Sequence, residues 1–156
     1  MKPLNYDIAA IENATLALLL PMKTAGHVRT LESYGGQLDV DDLGKLTLLF
    51  PAVYVIWSGV QIRTYNQYEG LTSGITIIAC TQNLRGTASA RSGDPAPDGT
   101  PYGAYDLLGE VRACLHGKII DREFYPAMLV REAPLAYLPS RSLAVYEALY
   151  ELRRRT

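Results

Sequence analysis

The feature that most constrains the fold is a nearly unbroken apolar run from Phe50 to Trp57 that is rich in β-branched side chains. A run this short and this β-branched is typical of a strand buried on both faces of a sheet. Pro51 is acceptable at the start of such a strand, because the first residue needs no backbone donor for the ladder. The sequence therefore predicts a central strand covered on both sides.

Further strands follow from alternation and turn residues. Gly74–Thr81 is predicted as a strand, with Ile75, Ile77 and Ala79 on one face and the residues between and after them on the other. The polar, tyrosine-rich section Gln61–Gly70 between these two strands is predicted as a strand extension plus a turn. Val28–Tyr34 has strand character and ends at the turn pair Gly35-Gly36. Ala127–Leu138 is predicted as a strand that Pro134 interrupts.

Two helices begin with acidic residues. In Asp7–Leu20, apolar residues recur at three- and four-residue spacing, Asp7 is placed to cap the helix, and Pro21 is expected to end it. Asp39–Leu49 is predicted as a shorter helix with acidic residues in its first turn, where the helix dipole favours them.

Two later segments have helical spacing. Tyr102–Leu115 has one apolar stripe, and Gly117 supplies its stop. The stripe comprises Tyr105, Leu108, Val111 and Leu115, widened by Leu107 and Cys114. The pattern of Leu143–Arg153 is ambiguous, but the spacing of its apolar residues, with its alanines and glutamates, favours a helix.

One long irregular segment, Asn83–Pro101, is rich in glycine and proline, and such a connection inside a compact domain is unusual and tends to be functional. Its charges are candidates for contacts with a neighbouring subunit or a partner: Arg85, Arg91, Asp94 and Asp98. The whole chain, 1–156, is expected to form a single α+β domain with this loop at 83–101. The sheet is expected to be mixed and mainly antiparallel, with flanking helices.

Charge and cysteine usage exclude several classes of protein. The formal net charge is -1, so bulk electrostatic binding of nucleic acid is not expected. Cys80 and Cys114 stand in apolar surroundings and are expected to act as small buried hydrophobes, with no disulfide framework. No leader peptide or membrane-spanning run is expected near the start.

Three stretches are similar to enzyme or metal-binding motifs, and each departs from its motif at an essential position. Asp39-x-Asp41 lacks the later ligands of a calcium loop, and Gly44-Lys45-x-Thr47 lacks the first glycine of a phosphate loop. In Gly70-x-x-Ser73-Gly74 the serine is displaced from a nucleophile elbow. We therefore predict no catalytic residue, no metal site and no cofactor.

The two histidines are isolated in the sequence. His27 has no companion at the spacing of metal ligands, and His116 stands at a helix end where a cation is favoured. The eleven tyrosines, among them Tyr65 and Tyr68, are more typical of a protein interface than of base stacking, because no groove of basic residues accompanies them.

Four stretches in order resemble the tail-terminator (tail-completion) family of Mu-like phages and prophages. They are Arg29-Thr30-Leu31-Glu32-Ser33-Tyr34-Gly35-Gly36, Phe50-Pro51-Ala52-Val53, Asn83-Leu84-Arg85-Gly86 with Arg91, and Gly103-Ala104-Tyr105-Asp106-Leu107-Leu108 leading to Gly117. The positions that define the fold in this resemblance are Tyr34, Gly35, Gly36, Phe50, Pro51, Gly103, Tyr105 and Leu108. None of them carries chemistry.

The resemblance implies a homohexameric ring that caps the tail tube, stops its polymerisation and joins the tail to the head connector. The implied partners are further copies of the chain, the tail tube protein and the head–tail connector protein, while genomic DNA passes through the lumen without specific binding. The implied location is the tail–neck region of the virion, after assembly in the host bacterial cytoplasm. The resemblance also implies a strand, against the helical pattern, for Leu143–Arg153.

Three alternatives remain open from the sequence. Another neck component, such as a head-completion or adaptor protein, differs little in sequence chemistry. A small hydrolase or nucleotide-binding enzyme requires clustered titratable groups that the sequence does not offer. A nucleic-acid-binding module is opposed by the charge balance.

Overall fold

The computed structural model describes residues 6–35, 50–65, 68–82, 103–138 and 143–155, with only the backbone course for 64–65, 68–69 and 136–138. Two predictions lie outside these residues, namely the helix Asp39–Leu49 and the loop 83–101. Gly36 and the loop charges Arg85, Arg91, Asp94 and Asp98 lie outside them as well.

The described residues form two helices and five strands. In chain order they are α1 (Ile8–Thr24), β1 (Thr30–Ser33), β2 (Ala52–Tyr65), β3 (Tyr68–Gln82), α2 (Ala104–Leu115), β4 (Met128–Leu138) and β5 (Leu143–Arg153). The strands make one sheet in the order β1-β2-β3-β5-β4, in which β1 and β2 are parallel and the other pairs are antiparallel. The predicted α+β fold with a mixed, mainly antiparallel sheet is confirmed.

The apolar run that begins at Phe50 forms the first half of β2, between β1 and β3. Residues 52–55 are fully buried, as predicted for a strand covered on both faces. Val53 and Val55 belong to the main core beneath the helices, whereas Ala52 and Tyr54 belong to a smaller apolar cluster on the opposite face. The predicted extension of β2 is confirmed, because the strand continues to Tyr65.

The helix that the pattern favours for Leu143–Arg153 is wrong, and the strand implied by the family resemblance is correct. Even-numbered residues of β5, such as Tyr146 and Tyr150, face the helices. Odd-numbered residues face the other side, where Leu143 and Val145 join the smaller cluster. Because β5 is apolar on both faces at its start, the two-residue period that marks a strand is hidden there.

Helix α1 begins as predicted and ends later than predicted. The side chain of Asp7 accepts a hydrogen bond from the backbone N–H of Ala10, which makes Asp7 the N-cap. Pro21 does not end the helix, which continues to Thr24. Pro21 costs the helix one backbone hydrogen bond, but Met22 in the next position is buried in the core, and this burial favours continuation.

Both helices pack on the same face of the sheet. Helix α1 contacts β1, β2 and α2, whereas α2 contacts β3 and β5. Leu107, Leu108, Val111 and Leu115 of α2 are buried as the stripe predicts, but Tyr105 is 47% exposed. Tyr105 lies at the border of the core instead, where its ring meets that of Tyr146 edge-on at 5.4 Å.

Tyr150 is fully buried, and its hydroxyl has no hydrogen-bond partner among the described residues. Burial raises the pKa of this phenol, Glu132 raises it further, and Arg112 lowers it. A buried, unpaired hydroxyl opposes folding. We therefore expect Tyr150→Phe to raise the free energy of unfolding by about 1 kcal/mol, measured by urea denaturation. A loss of stability would show that the hydroxyl is paired.

Candidate assembly surfaces

Exposed apolar side chains concentrate in one segment of the chain. Of the nine large apolar side chains that are exposed in the described residues, five lie on the segment 119–135, each 51–55% exposed. They are Ile119, Tyr125, Met128, Val130 and Leu135. This segment leads into and includes β4, the strand at one edge of the sheet. We call these five residues, with the exposed charges around them, the β4 surface.

The exposed charged side chains around these five residues are all basic. They are Lys118, Arg122, Arg131, Arg153 and Arg155, whereas the neighbouring carboxylates of Asp121, Glu123, Glu147 and Glu151 are less exposed. Two of the arginines are already engaged. Arg131 pairs with Glu147, and Arg155 lies over the Tyr125 ring at 5.5 Å and donates to the Phe124 carbonyl.

A groove of about 780 Å³ lies at one end of the β4 surface, where Tyr125, Met128 and Val130 line it. Its walls come from the start of β4, the end of β5 and Gly70–Thr72 of β3. Met128 and Val130 line it together with Arg153, Arg154 and Glu151, so it combines apolar side chains with charged ones, of which the majority are basic. The groove is an open surface that suits a protruding element of another protein rather than a small substrate.

The outward face of α1 is a second exposed surface, and between Asp7 and Lys23 none of its exposed side chains is charged. Ile11, Thr15, Leu19 and Met22 point into the core. The exposed side chains of the helix between its cap and Lys23 are apolar or uncharged. On the side away from the core stand Ala9, Ala10, Asn13, Ala17, Leu20 and Pro21, which we call the α1 outer face; Ile8 is exposed at the start of the helix but lies in line with the core-facing residues.

These two surfaces lie near opposite edges of the sheet. Helix α1 packs over β1 and β2, whereas β4 is the far edge strand. Five strands spaced about 4.8 Å apart place the two edges about 19 Å from each other. The molecule therefore has two different exposed surfaces, one above β1 and β2 and the other at the β4 edge.

The β2–β3 hairpin extends past the rest of the sheet. The last pair between β3 and β5 is Thr72 with Arg153, whereas β2 and β3 remain paired out to Tyr65 and Tyr68. Beyond Thr72 the hairpin is a two-stranded arm, which is marginally stable on its own. The predicted interface residues Tyr65 and Tyr68 stand at the end of this arm, and their contacts with a partner remain a prediction.

Three polar contacts that the sequence did not predict hold the helices in place. The Glu12 carboxylate accepts hydrogen bonds from the Trp57 backbone N–H at 3.0 Å and from the Ser33 hydroxyl at 3.2 Å. His27 pairs with Glu110 of α2 at 2.6 Å. Glu12 is the one charged residue between Ile8 and Met22. A single charge in an otherwise uncharged helix is the sequence feature that could have indicated a bound carboxylate.

His116 stands at the end of α2, as the sequence predicts, and caps the helix. Its Nδ1 also accepts a hydrogen bond from the Leu129 backbone N–H at 3.1 Å. The imidazole therefore joins the end of α2 to the start of β4, a contact that the sequence did not predict.

The described residues show no arrangement suited to catalysis by a metal or a thiolate. No three metal-binding side chains come together within them. Burial raises the pKa of the Cys80 thiol, and burial also raises that of Cys114, where Glu110 adds to the effect and Lys118 opposes it. Both thiols are free, as expected. Neither described helix is long and apolar enough to cross a membrane.

The residues that carry the family resemblance have structural roles. The Tyr34 ring meets Tyr54 edge-on at 5.6 Å, and Phe50 is buried in the same cluster. The Pro51 carbonyl accepts a hydrogen bond from Arg29 at 2.8 Å, which joins the entry of β1 to that of β2. Gly103 begins α2, where its N–H donates to Asp106.

The fold occurs in a virion. A chain from the structure entitled "Virion of native gene transfer agent (GTA) particle" matches with a TM-score of 0.55 at 12% sequence identity, covering 97% of this chain and 100% of that chain. No curated protein sequence matches the chain. A family model described as Bacteriophage Mu, Gp37 matches residues 7–150.

The chain belongs to the Bacteriophage Mu Gp37 family. Membership places it among the structural proteins of Mu-like phages, and together with the virion fold it supports a structural role in a phage virion. The family suggests a protein without enzymatic activity.

Proposed function

We propose that the protein is the tail terminator of its phage. Six copies form a ring that caps the tail tube, stops tube polymerisation and joins the tail to the head connector at the neck of the virion. Genomic DNA passes through the lumen without specific binding. The ring has no enzymatic activity and needs no cofactor.

The β4 surface carries this proposal. Five large apolar side chains, each about half exposed, lie on the segment that leads into the edge strand β4 and along it, and three of them, Tyr125, Met128 and Val130, line one groove. Contiguous apolar patches of this kind mark protein–protein contacts in soluble proteins. Membership of a Mu-like phage family and a fold found in a virion make other virion subunits the partners expected there.

The tip of the β2–β3 arm and the loop charges are proposed contacts with the tube or the connector. Tyrosine offers rigid contact area with a polar tip, which suits Tyr65 and Tyr68 at the end of the arm. Arg85, Arg91, Asp94 and Asp98 are proposed to pair with charges of a neighbouring subunit or the tube.

Tube growth in solution tests the proposal. Tail tube protein is polymerised with and without the purified chain, tube lengths are measured by electron microscopy, and masses by light scattering. We expect the chain to stop elongation and to reach a mass near six times 17.2 kDa, alone or on tubes.

A matched pair of variants sharpens this test. Met128→Lys/Val130→Lys places two charges in the β4 surface and should abolish both assembly and the arrest of tube growth. Ala113→Lys adds a charge at an exposed position of α2 and should leave both intact. A chain that binds purified portals or connectors but ignores tubes would instead be an adaptor. A chain that ignores both would not be a neck protein.

A further inference from the structure

We propose that the α1 outer face of one copy docks on the β4 surface of the next copy, so that subunits assemble head to tail. The inference rests on the proposed function and names the two surfaces that join neighbouring subunits in the ring. The occupant of the groove at one end of the β4 surface is a second copy of this chain.

The composition of α1 indicates that its outer face has a partner. A surface helix normally carries polar or charged side chains on the side that faces water. Between Ile8 and Met22 the single charged residue is Glu12, and its carboxylate is bound to the Trp57 N–H and the Ser33 hydroxyl. A helix that is uncharged on its outward side over more than three turns is typical of a buried helix.

The charges of the two surfaces complement each other. The β4 surface has an apolar centre, and its most exposed charges are basic; in the groove itself Arg153 and Arg154 outnumber the one carboxylate, Glu151. The α1 outer face has an uncharged centre, and at its start stands the exposed carboxylate of Asp7. Lys23 stands at the opposite end of the helix. The docked helix therefore points its Asp7 end toward the arginine-rich end of the groove, near Arg153.

The α1 outer face is short enough for the β4 edge. From Ala9 to Pro21 the helix rises about 18 Å at 1.5 Å per residue. From Met128 to Leu135 an extended strand advances at most about 23 Å at 3.3 Å per residue. The outer face therefore fits within the length of the edge strand between these two exposed apolar residues.

Pairing like surfaces is less favourable than the head-to-tail contact. Two β4 surfaces face to face would oppose one set of basic side chains with an identical set, and such like-charge contacts suppress association. Two α1 outer faces would leave the basic side chains of both β4 surfaces unpaired. A contact between two different surfaces repeats from copy to copy and produces a closed ring when the rotation closes.

Mixing two defective variants tests the docking directly. Ala17→Lys/Leu20→Lys spoils the α1 outer face and keeps the β4 surface, whereas Met128→Lys/Val130→Lys does the reverse. Each variant alone should be monomeric by light scattering. An equimolar mixture should form a dimer near twice 17.2 kDa and nothing larger, because each mixed pair retains one intact contact. Ala113→Lys should associate like the unmodified chain, and circular dichroism should show that every variant is folded.

Three results would overturn the docking. They are a mixture that stays monomeric, a variant that assembles alone, and an unmodified chain that remains monomeric at about 1 mM. Rings that stop tube growth while the mixture fails to dimerise would leave the proposed function standing and reject these two surfaces. Rings that form through these surfaces but do not bind tubes would support the docking and reject the proposed function.

The charge at the helix start has its own test. Asp7→Asn keeps a side chain that caps a helix equally well and removes the negative charge. We expect self-association of Asp7→Asn to weaken about two- to fivefold and to depend less on salt concentration. Unchanged affinity and salt dependence would overturn the orientation of the docked helix.

Discussion

Leu19→Ala should lower the free energy of unfolding by about 3 to 5 kcal/mol. Leu19 lies on the core-facing side of α1 and is fully buried in the cluster that joins the helix to the sheet. Its truncation removes apolar contacts and leaves a cavity that the surrounding core fills only in part. Urea denaturation followed by circular dichroism measures the change, at a concentration where the chain is monomeric.

The next residue supplies the control. Leu20→Ala makes the same chemical change in the same helix, but Leu20 is 52% exposed on the α1 outer face. In the monomer it should cost less than about 1 kcal/mol, most of which reflects the surface that Leu20 still buries. Equal losses at the two positions would mean that the burial of α1 differs from that described.

Glu12→Ala should lower the free energy of unfolding by about 2 to 3 kcal/mol. The substitution leaves the half-buried backbone N–H of Trp57 without its acceptor and removes the bond from the Ser33 hydroxyl. An unpaired donor costs more than the net value of the bond that it had made. The same urea denaturation measures the loss.

Glu12→Gln is the matched variant. Its amide oxygen can still accept from one donor, so it should recover part of the stability that Glu12→Ala loses, and the remainder reflects the charge. Asn13→Ala, on the exposed side of the same helix turn, should change stability by less than about 0.5 kcal/mol. If Glu12→Ala were as mild as Asn13→Ala, α1 would be held by its apolar contacts alone.

The sequence predicted the elements whose pattern is local. The strand that starts after Pro51 was evident because its apolar run is short and β-branched, and the cap at Asp7 because an acidic residue precedes a helical stripe. Helix α2 followed from its stripe and from Gly117, whose φ of 75° fits a glycine that ends a helix. These signals need no knowledge of distant residues.

The predictions that failed depended on distant partners. The spacing of apolar residues in β5 fits a helix until the sheet supplies neighbours for both faces. The end of α1 depends on the burial of Met22 rather than on Pro21. The pairing of Glu12 with Trp57 spans 45 positions, and that of His116 with Leu129 spans 13. The family resemblance corrected β5 because it carries information about the assembled sheet.

The candidate surfaces could be predicted only in part. Tyr65 and Tyr68 were identified as interface residues from composition, and the structure places them at the end of the arm. The β4 surface was not predicted, because the unbroken apolar run Met128–Val130 fits a buried strand as well as an exposed one. Its exposure follows from the order of the strands, which puts β4 at the edge.

The arm gives a ring of such subunits a direction. Cyclic symmetry repeats every feature of a subunit around the axis without inverting it. An arm with any component along the axis therefore projects from the same rim in every copy, and the opposite rim has none. A terminator built this way distinguishes its two ends by shape alone, so one end can meet the tube and the other the head without a further protein to set polarity.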